Sequence, residues 1–144
     1  MKNCYLIDFN PIGNEDVGYL VELEENKQIP FNIKRVYYTH SVPDETQRGF
    51  HAHKNLEQVL ICLNGKIKVK CFDGEIAKIY ELNCNNKGLY VGGMVWLEML
   101  DYTKEAILLV LASQIYNEDD YIRNFGEFIK IADNFNSKKN KSIE

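Results

Sequence analysis

The chain has 144 residues, 45% hydrophobic and 12% aromatic, enough to bury one sizeable core with little material left for a second, so one domain is expected. Its net charge of -4 and isoelectric point near 5.4 exclude a general nucleic-acid binder, which needs a basic face against phosphates. No apolar run approaches the roughly 20 residues of a membrane-spanning helix, and the opening MKNCYLIDFN turns polar before a signal-type stretch forms. A cytoplasmic protein without membrane contact is expected.

In chain order, residues 33–39 follow Pro30 and carry Val36, Tyr37 and Tyr38, a strand by composition. Residues 48–53, Arg-Gly-Phe-His-Ala-His, gather two of the three histidines. Residues 57–63 form an apolar run closed by Asn64-Gly65, and residues 106–112 form another; both read as strands covered on two faces. Between them, residues 66–72 alternate polar and apolar, meet Asp73-Gly74 and resume over 76–82, the pattern of a hairpin with a two-residue turn. Residues 89–91 and 95–97 flank Gly92-Gly93, where the backbone is expected to turn. From 118 to 135, Tyr121, Ile122, Phe125, Phe128, Ile129 and Ala132 recur at helical spacing, with Asp119, Asp120 and Arg123 as charges stabilising that helix. The tail 137–144 is polar and lysine-rich and is expected to be disordered. Short strands with glycine-marked turns give an all-β sandwich or barrel over residues 1–136, with a short C-terminal helix. Cys4, Cys62, Cys71 and Cys84 lack Cys-x-x-Cys spacing and read as reduced structural thiols.

Chemistry concentrates at His51-Ala52-His53. Residues two apart on a strand share a face, so both imidazoles are expected to project into one cavity. An unperturbed pKa of roughly 6.5 suits them to proton transfer near neutrality. The competing reading is a pair of surface histidines at a strand end. Arg48 and Lys54 flank the pair, and two cations there suit a phosphate-bearing ligand.

The run His51-x-His53, four residues, Gln58, six residues, Gly65 resembles the first cupin motif, in which two histidines and a glutamate bind a metal. Here the glutamate position holds Gln58, a neutral amide and a poorer ligand than a carboxylate. Glu57 lies next door, but strand alternation aims it at the other face. In the second motif Leu97 stands where the fourth ligand, a histidine, would fall. With two of four ligands missing, a catalytic metal is not expected. A closer likeness runs through Ile29-Pro30-Phe31, Lys34-Arg35-Val36-Tyr37-Tyr38, Arg48-Gly49-Phe50-His51-Ala52-His53-Lys54, Gln58-Val59-Leu60, Lys87-Gly88-Leu89-Tyr90 and Asp120-Tyr121-Ile122-Arg123. In this order and spacing the set resembles the sugar 3,4-ketoisomerases of the WxcM-like cupin family.

That resemblance implies a cupin jelly roll, a homodimer, no metal or other cofactor, and a dTDP-linked 4-keto-6-deoxyglucose converted to a 3-keto-6-deoxyhexose. Moving the ketone needs a base and an acid in one pocket, which His51 and His53 supply. The resemblance further suggests Tyr37 as a catalytic partner that assists proton transfer or steadies the enediolate. Arg48, Arg35, Gln58, Lys54 and Trp96 are the candidate substrate contacts, with burial in the core as the competing reading for Trp96. Val17 and Leu97 depart from the family pattern, and Leu97 weighs further against a metal. The other functions weighed are a 3,5-epimerase-like enzyme, a non-catalytic sugar-binding module and a metal-dependent oxygenase.

Overall fold

Alternation and turn chemistry divide the chain into twelve strands and one helix in the computed structural model, which describes residues 1–140. The strands are β1 (Cys4–Asp8), β2 (Ile12–Asn14), β3 (Gly18–Leu20), β4 (Arg35–Thr39), β5 (Arg48–His53) and β6 (Gln58–Asn64). They continue as β7 (Ile67–Phe72), β8 (Ala77–Leu82), β9 (Lys87–Val91), β10 (Trp96–Leu100), β11 (Ile107–Ala112) and β12 (Tyr121–Ile122), before helix α1 (Phe125–Asn140). Two five-stranded sheets form, β1-β9-β6-β11-β4 and β12-β5-β10-β7-β8, and β2 pairs with β3 in a separate hairpin. The pairings within them are antiparallel, so the jelly-roll sandwich expected from the resemblance is the observed fold.

The two inner faces meet in the main core, where Leu60 and Cys62 of β6, Val69 and Cys71 of β7, Leu97 of β10 and Leu108 and Val110 of β11 are buried. Both outer faces are covered in part. Phe9, Ile29 and Phe31 pack on Val59, Ile61 and Leu111 outside the first sheet. Phe128 and Ala132 of α1 pack on Trp96 and Ala52 outside the second. This double covering is why residues 59–63 and 106–112 are continuously apolar instead of alternating.

Two local expectations change. The β7–β8 connection is a four-residue loop, since Phe72 pairs with Ala77; Asp73 accepts from the backbone N–H groups of Glu75 and Ile76 and so fixes a wider turn than Asp73-Gly74 suggests. The helix starts later and ends later than 118–135. Asn117 caps a single 3-10 turn (Glu118–Asp120), and Tyr121 and Ile122 are then drawn into extended pairing with His53 and Ala52. Asn124 accepts from the N–H of Glu127, which starts α1, and the helix runs to Asn140. Residues 137–140 of the expected tail are therefore helical, while 141–144 lie outside the described residues.

Candidate active site

A β-bulge builds the site. On β10, Leu97 pairs with His51 and Met99 with Arg48, yet Gly49 and Phe50 together oppose Glu98. Regular alternation would put Arg48 and His51, three apart, on opposite faces; the extra residue restores them to one face. Gly49 and Phe50 both take positive φ, 90° and 58°. A Cβ on Gly49 would lie 2.8 Å from the Leu97 carbonyl oxygen, so glycine is required where β5 passes this close to β10.

The bulge opens onto a cavity of about 520 Å3 between the sheets. The first sheet contributes Arg35, Tyr37 and Thr39 from β4 and Gln58 from β6; the second contributes Arg48 and His51, with Tyr121 and Arg123 at the rim. Side-chain polar atoms of these residues are buried without partners: Arg35 Nε, Thr39 Oγ1, His51 Nδ1 and Gln58 Nε2. Buried polar groups are nearly always satisfied, so this convergence marks a place built for a polar ligand.

His53 lies on the same face as His51, their ring centroids 4.9 Å apart and nearly perpendicular. It sits behind the cavity wall and is 4% exposed. Tyr121 covers both imidazoles, 5.0 Å from His51 and 4.3 Å from His53. Burial lowers the pKa of His51. Burial, then the neighbouring His51, push His53 down to about 4, against an upward pull from Asp120. Both rings are thus neutral at pH 7 and can accept protons. Burial holds the Tyr37 hydroxyl up at about 12, so it stays protonated and donates. The Arg35 guanidinium stands over the rings of Tyr37 and Tyr116, at 5.1 and 5.7 Å, and the residue lines the cavity.

The structure brings His51, Tyr37, Arg48, Arg35 and Gln58 together on the cavity, with His53 against its wall. Two other candidates are elsewhere. Lys54 Nζ donates to the Asp119 carbonyl at 2.7 Å on the surface, because β5 ends at His53 and the chain turns away. Trp96 is 4% exposed beneath α1, its ring 5.7 Å from Phe128. It precedes inward-facing Leu97, so alternation sends it outward into the helix packing. Glu57 accepts from the Tyr90 hydroxyl at 2.6 Å on the outer side of the first sheet and is not a substitute ligand. Among the described residues, no three His, Cys, Asp or Glu side chains converge as a metal site.

Sequence reasoning did not single out Thr39, Tyr121 and Arg123, which line the cavity, or Asp120, whose carboxylate faces His53. The stretch Asp120-Tyr121-Ile122-Arg123 stood out in the family likeness, but helical periodicity absorbed it. Its two middle residues, Tyr121 and Ile122, are the β12 edge beside β5, and Asp120 ends the 3-10 turn before them.

Two antiparallel sheets enclosing a polar, histidine-bearing cavity make this a cupin-like sandwich with its candidate active site between the sheets. The chain belongs to the FdtA family (WxcM-like, C-terminal), which matches residues 2–133. It is 51% identical over 122 residues to a TDP-4-oxo-6-deoxy-alpha-D-glucose-3,4-oxoisomerase of Aneurinibacillus thermoaerophilus, covering 85% of this chain and 88% of that one. QdtA, a sugar 3,4-ketoisomerase of Thermoanaerobacterium thermosaccharolyticum solved with TDP, superposes with a TM-score of 0.89 at 48% identity, over 92% of this chain and 96% of its own. A mutant of QdtA has also been solved with TDP-4-keto-6-deoxyglucose. The WlaRB TDP-quinovose 3,4-ketoisomerase of Campylobacter jejuni gives 0.86 at 44% identity, over 90% and 99%.

Proposed function

We propose that this chain is a nucleotide-sugar 3,4-ketoisomerase that converts TDP-4-keto-6-deoxyglucose to a TDP-3-keto-6-deoxyhexose by histidine acid-base catalysis without a cofactor. The observation that carries the reading is the pair of imidazoles, 4.9 Å apart, beside a cavity lined by buried polar atoms that no protein group satisfies, in a chain 51% identical to an enzyme of that name.

The reaction moves protons and leaves the net oxidation state unchanged. A base removes the C3 proton, electrons flow to the C4 carbonyl oxygen, and that oxygen takes up a proton to give the enediol. Loss of the O3 proton then forms the C3 ketone as C4 takes up a proton. His51 and His53 carry the carbon-bound protons, and the Tyr37 hydroxyl donates to the enediolate oxygen. Arg48 and Arg35 bind the sugar oxygens or the diphosphate through paired guanidinium donors, and Gln58 holds a hydroxyl. The reducing cytoplasm is the expected setting, in keeping with the free cysteines and with no described helix long and apolar enough to cross a membrane.

The active form is a homodimer. The β2–β3 hairpin exposes Ile12, Val17, Tyr19 and Leu20, each more than half accessible, and the edge strand β4 exposes Val36 and Tyr38; such apolar surface on a small chain suits a partner. Sedimentation at micromolar concentration is expected to give twice the chain mass.

Proton NMR of TDP-4-keto-6-deoxyglucose with EDTA-treated protein in deuterated water tests the activity. A 3-keto product carrying deuterium at C4 is expected. Deuterium at C3 or C5 with the ketone still at C4 would instead indicate an epimerase, and an unchanged substrate would overturn the reading.

A further inference from the structure

The mechanism leaves one buried carboxylate unused. Among the described residues the buried polar side chains are His53, Gln58 and Asp120, and the first and last of these face each other: Asp120 Oδ2 lies 3.3 Å from His53 Nδ1. The carboxylate is pinned in place. Its Oδ1 accepts from the Asn55 backbone N–H at 2.9 Å and its Oδ2 from the Leu56 N–H at 3.1 Å, in the turn that follows His53. From the other side, Tyr121 pairs with His53 across the ladder and lays its ring over the imidazole.

We propose that Asp120 is a positioning residue that fixes the tautomer of His53, holding the proton on Nδ1 and leaving Nε2 bare as the atom that exchanges protons. A neutral imidazole carries one N–H, and an ionised carboxylate only accepts. Oδ2 cannot withdraw from Nδ1 without giving up its bond to Leu56, so a bare Nδ1 would set two lone-pair centres against each other. The 3.3 Å contact between His53 Nδ1 and Asp120 is not a fully aligned hydrogen bond; contacts of this kind commonly tighten in the course of catalysis. When Nε2 takes a proton, Asp120 stays ionised and steadies the imidazolium, and the proton is later returned from the same atom. Among the described residues no carboxylate pairs with His51, whose ring has the Gly49 backbone as its neighbour instead. The two histidines are therefore inequivalent. The catalytic consequence rests on the ketoisomerase reading; the tautomer does not.

The test is nitrogen-15 NMR of the imidazoles in the wild-type protein saturated with TDP at neutral pH. A His53 signal set with Nδ1 protonated and Nε2 bare is expected, and an Nε2–H tautomer would overturn the proposal whether or not the enzyme turns over this substrate. Asp120→Asn, which must present an N–H either to His53 or to the turn, is expected to lower kcat by roughly tenfold or more with KM and TDP affinity little changed. Wild-type kcat in a folded Asp120→Asn protein would also overturn it; if that variant fails to fold, the wild-type tautomer decides.

Discussion

Burial is the largest influence on both imidazoles and lowers both, against upward pulls from the Gly49 backbone at His51 and from Asp120 at His53. A neutral ring is what a base requires, so His51→Asn and His53→Asn are each expected to lose about a hundredfold to ten-thousandfold in kcat while melting as cooperatively as wild type. Wild-type rates in both variants would refute the assignment. The phenol beside them behaves differently. With its hydroxyl held at about 12, Tyr37 acts as a hydrogen-bond donor throughout the working range. Tyr37→Phe should therefore cost roughly tenfold to a thousandfold in kcat, and the wild-type rate should show no alkaline fall attributable to Tyr37 below about pH 10; a wild-type alkaline limb near pH 8 that the Phe variant lacks would contradict this.

The decisive element is the bulge on β5, which turns a run of six residues into a presenting surface for Arg48 and His51. Gly49→Ala sets a Cβ against the Leu97 carbonyl in a backbone conformation that side chains disfavour. Such strain costs about 1–3 kcal/mol. The variant is expected to melt several degrees lower and to lose kcat/KM beyond what the lost stability explains, because Arg48 and His51 both move. Thermal melts with steady-state kinetics check both effects, and unchanged values in each would show that the bulge is dispensable. The edge β12 is the second such element: two residues of pairing place Tyr121 over the histidines and Asp120 behind them.

For the whole molecule, the buried histidines set the response to acid. The ordinary pKa of His53 is 6.5 and its folded value is about 4. Above pH 6.5 both folded and unfolded forms are neutral and stability is full. Between 6.5 and 4 the unfolded chain takes up a proton that the folded one refuses, so stability falls with pH, by up to roughly 3 kcal/mol, and this loss levels off below 4. Glu118, held at about 2 by the Arg123 guanidinium, is exposed and acts in a separate window, below its ordinary 4.5. Melting temperature measured across pH 4 to 7 should therefore drop toward acid, and His53→Gln should flatten that slope; an equal slope in the variant would place the acid response elsewhere.

Period-two alternation and covered apolar runs made the strands β6, β7, β8 and β11 legible from the sequence alone, because a half-buried strand must alternate and a doubly covered one must not. The histidine pair was equally legible, since it depends on spacing along one strand, while Gln58 in a ligand position came from the likeness to the cupin motif. What the tertiary structure decided was everything that needed a neighbour. Residues 48–53 read as a strand do not announce that Gly49 and Phe50 oppose one residue, which is what puts Arg48 with His51. Trp96 was sent outward by the pairing of β10, and Lys54 to the surface where the chain leaves β5. Tyr121 and Ile122 carry helical periodicity in sequence, yet pairing with β5 supplies backbone hydrogen bonds that override it. Local pattern fixes which face a residue shares with its own strand; long-range pairing alone fixes what stands opposite.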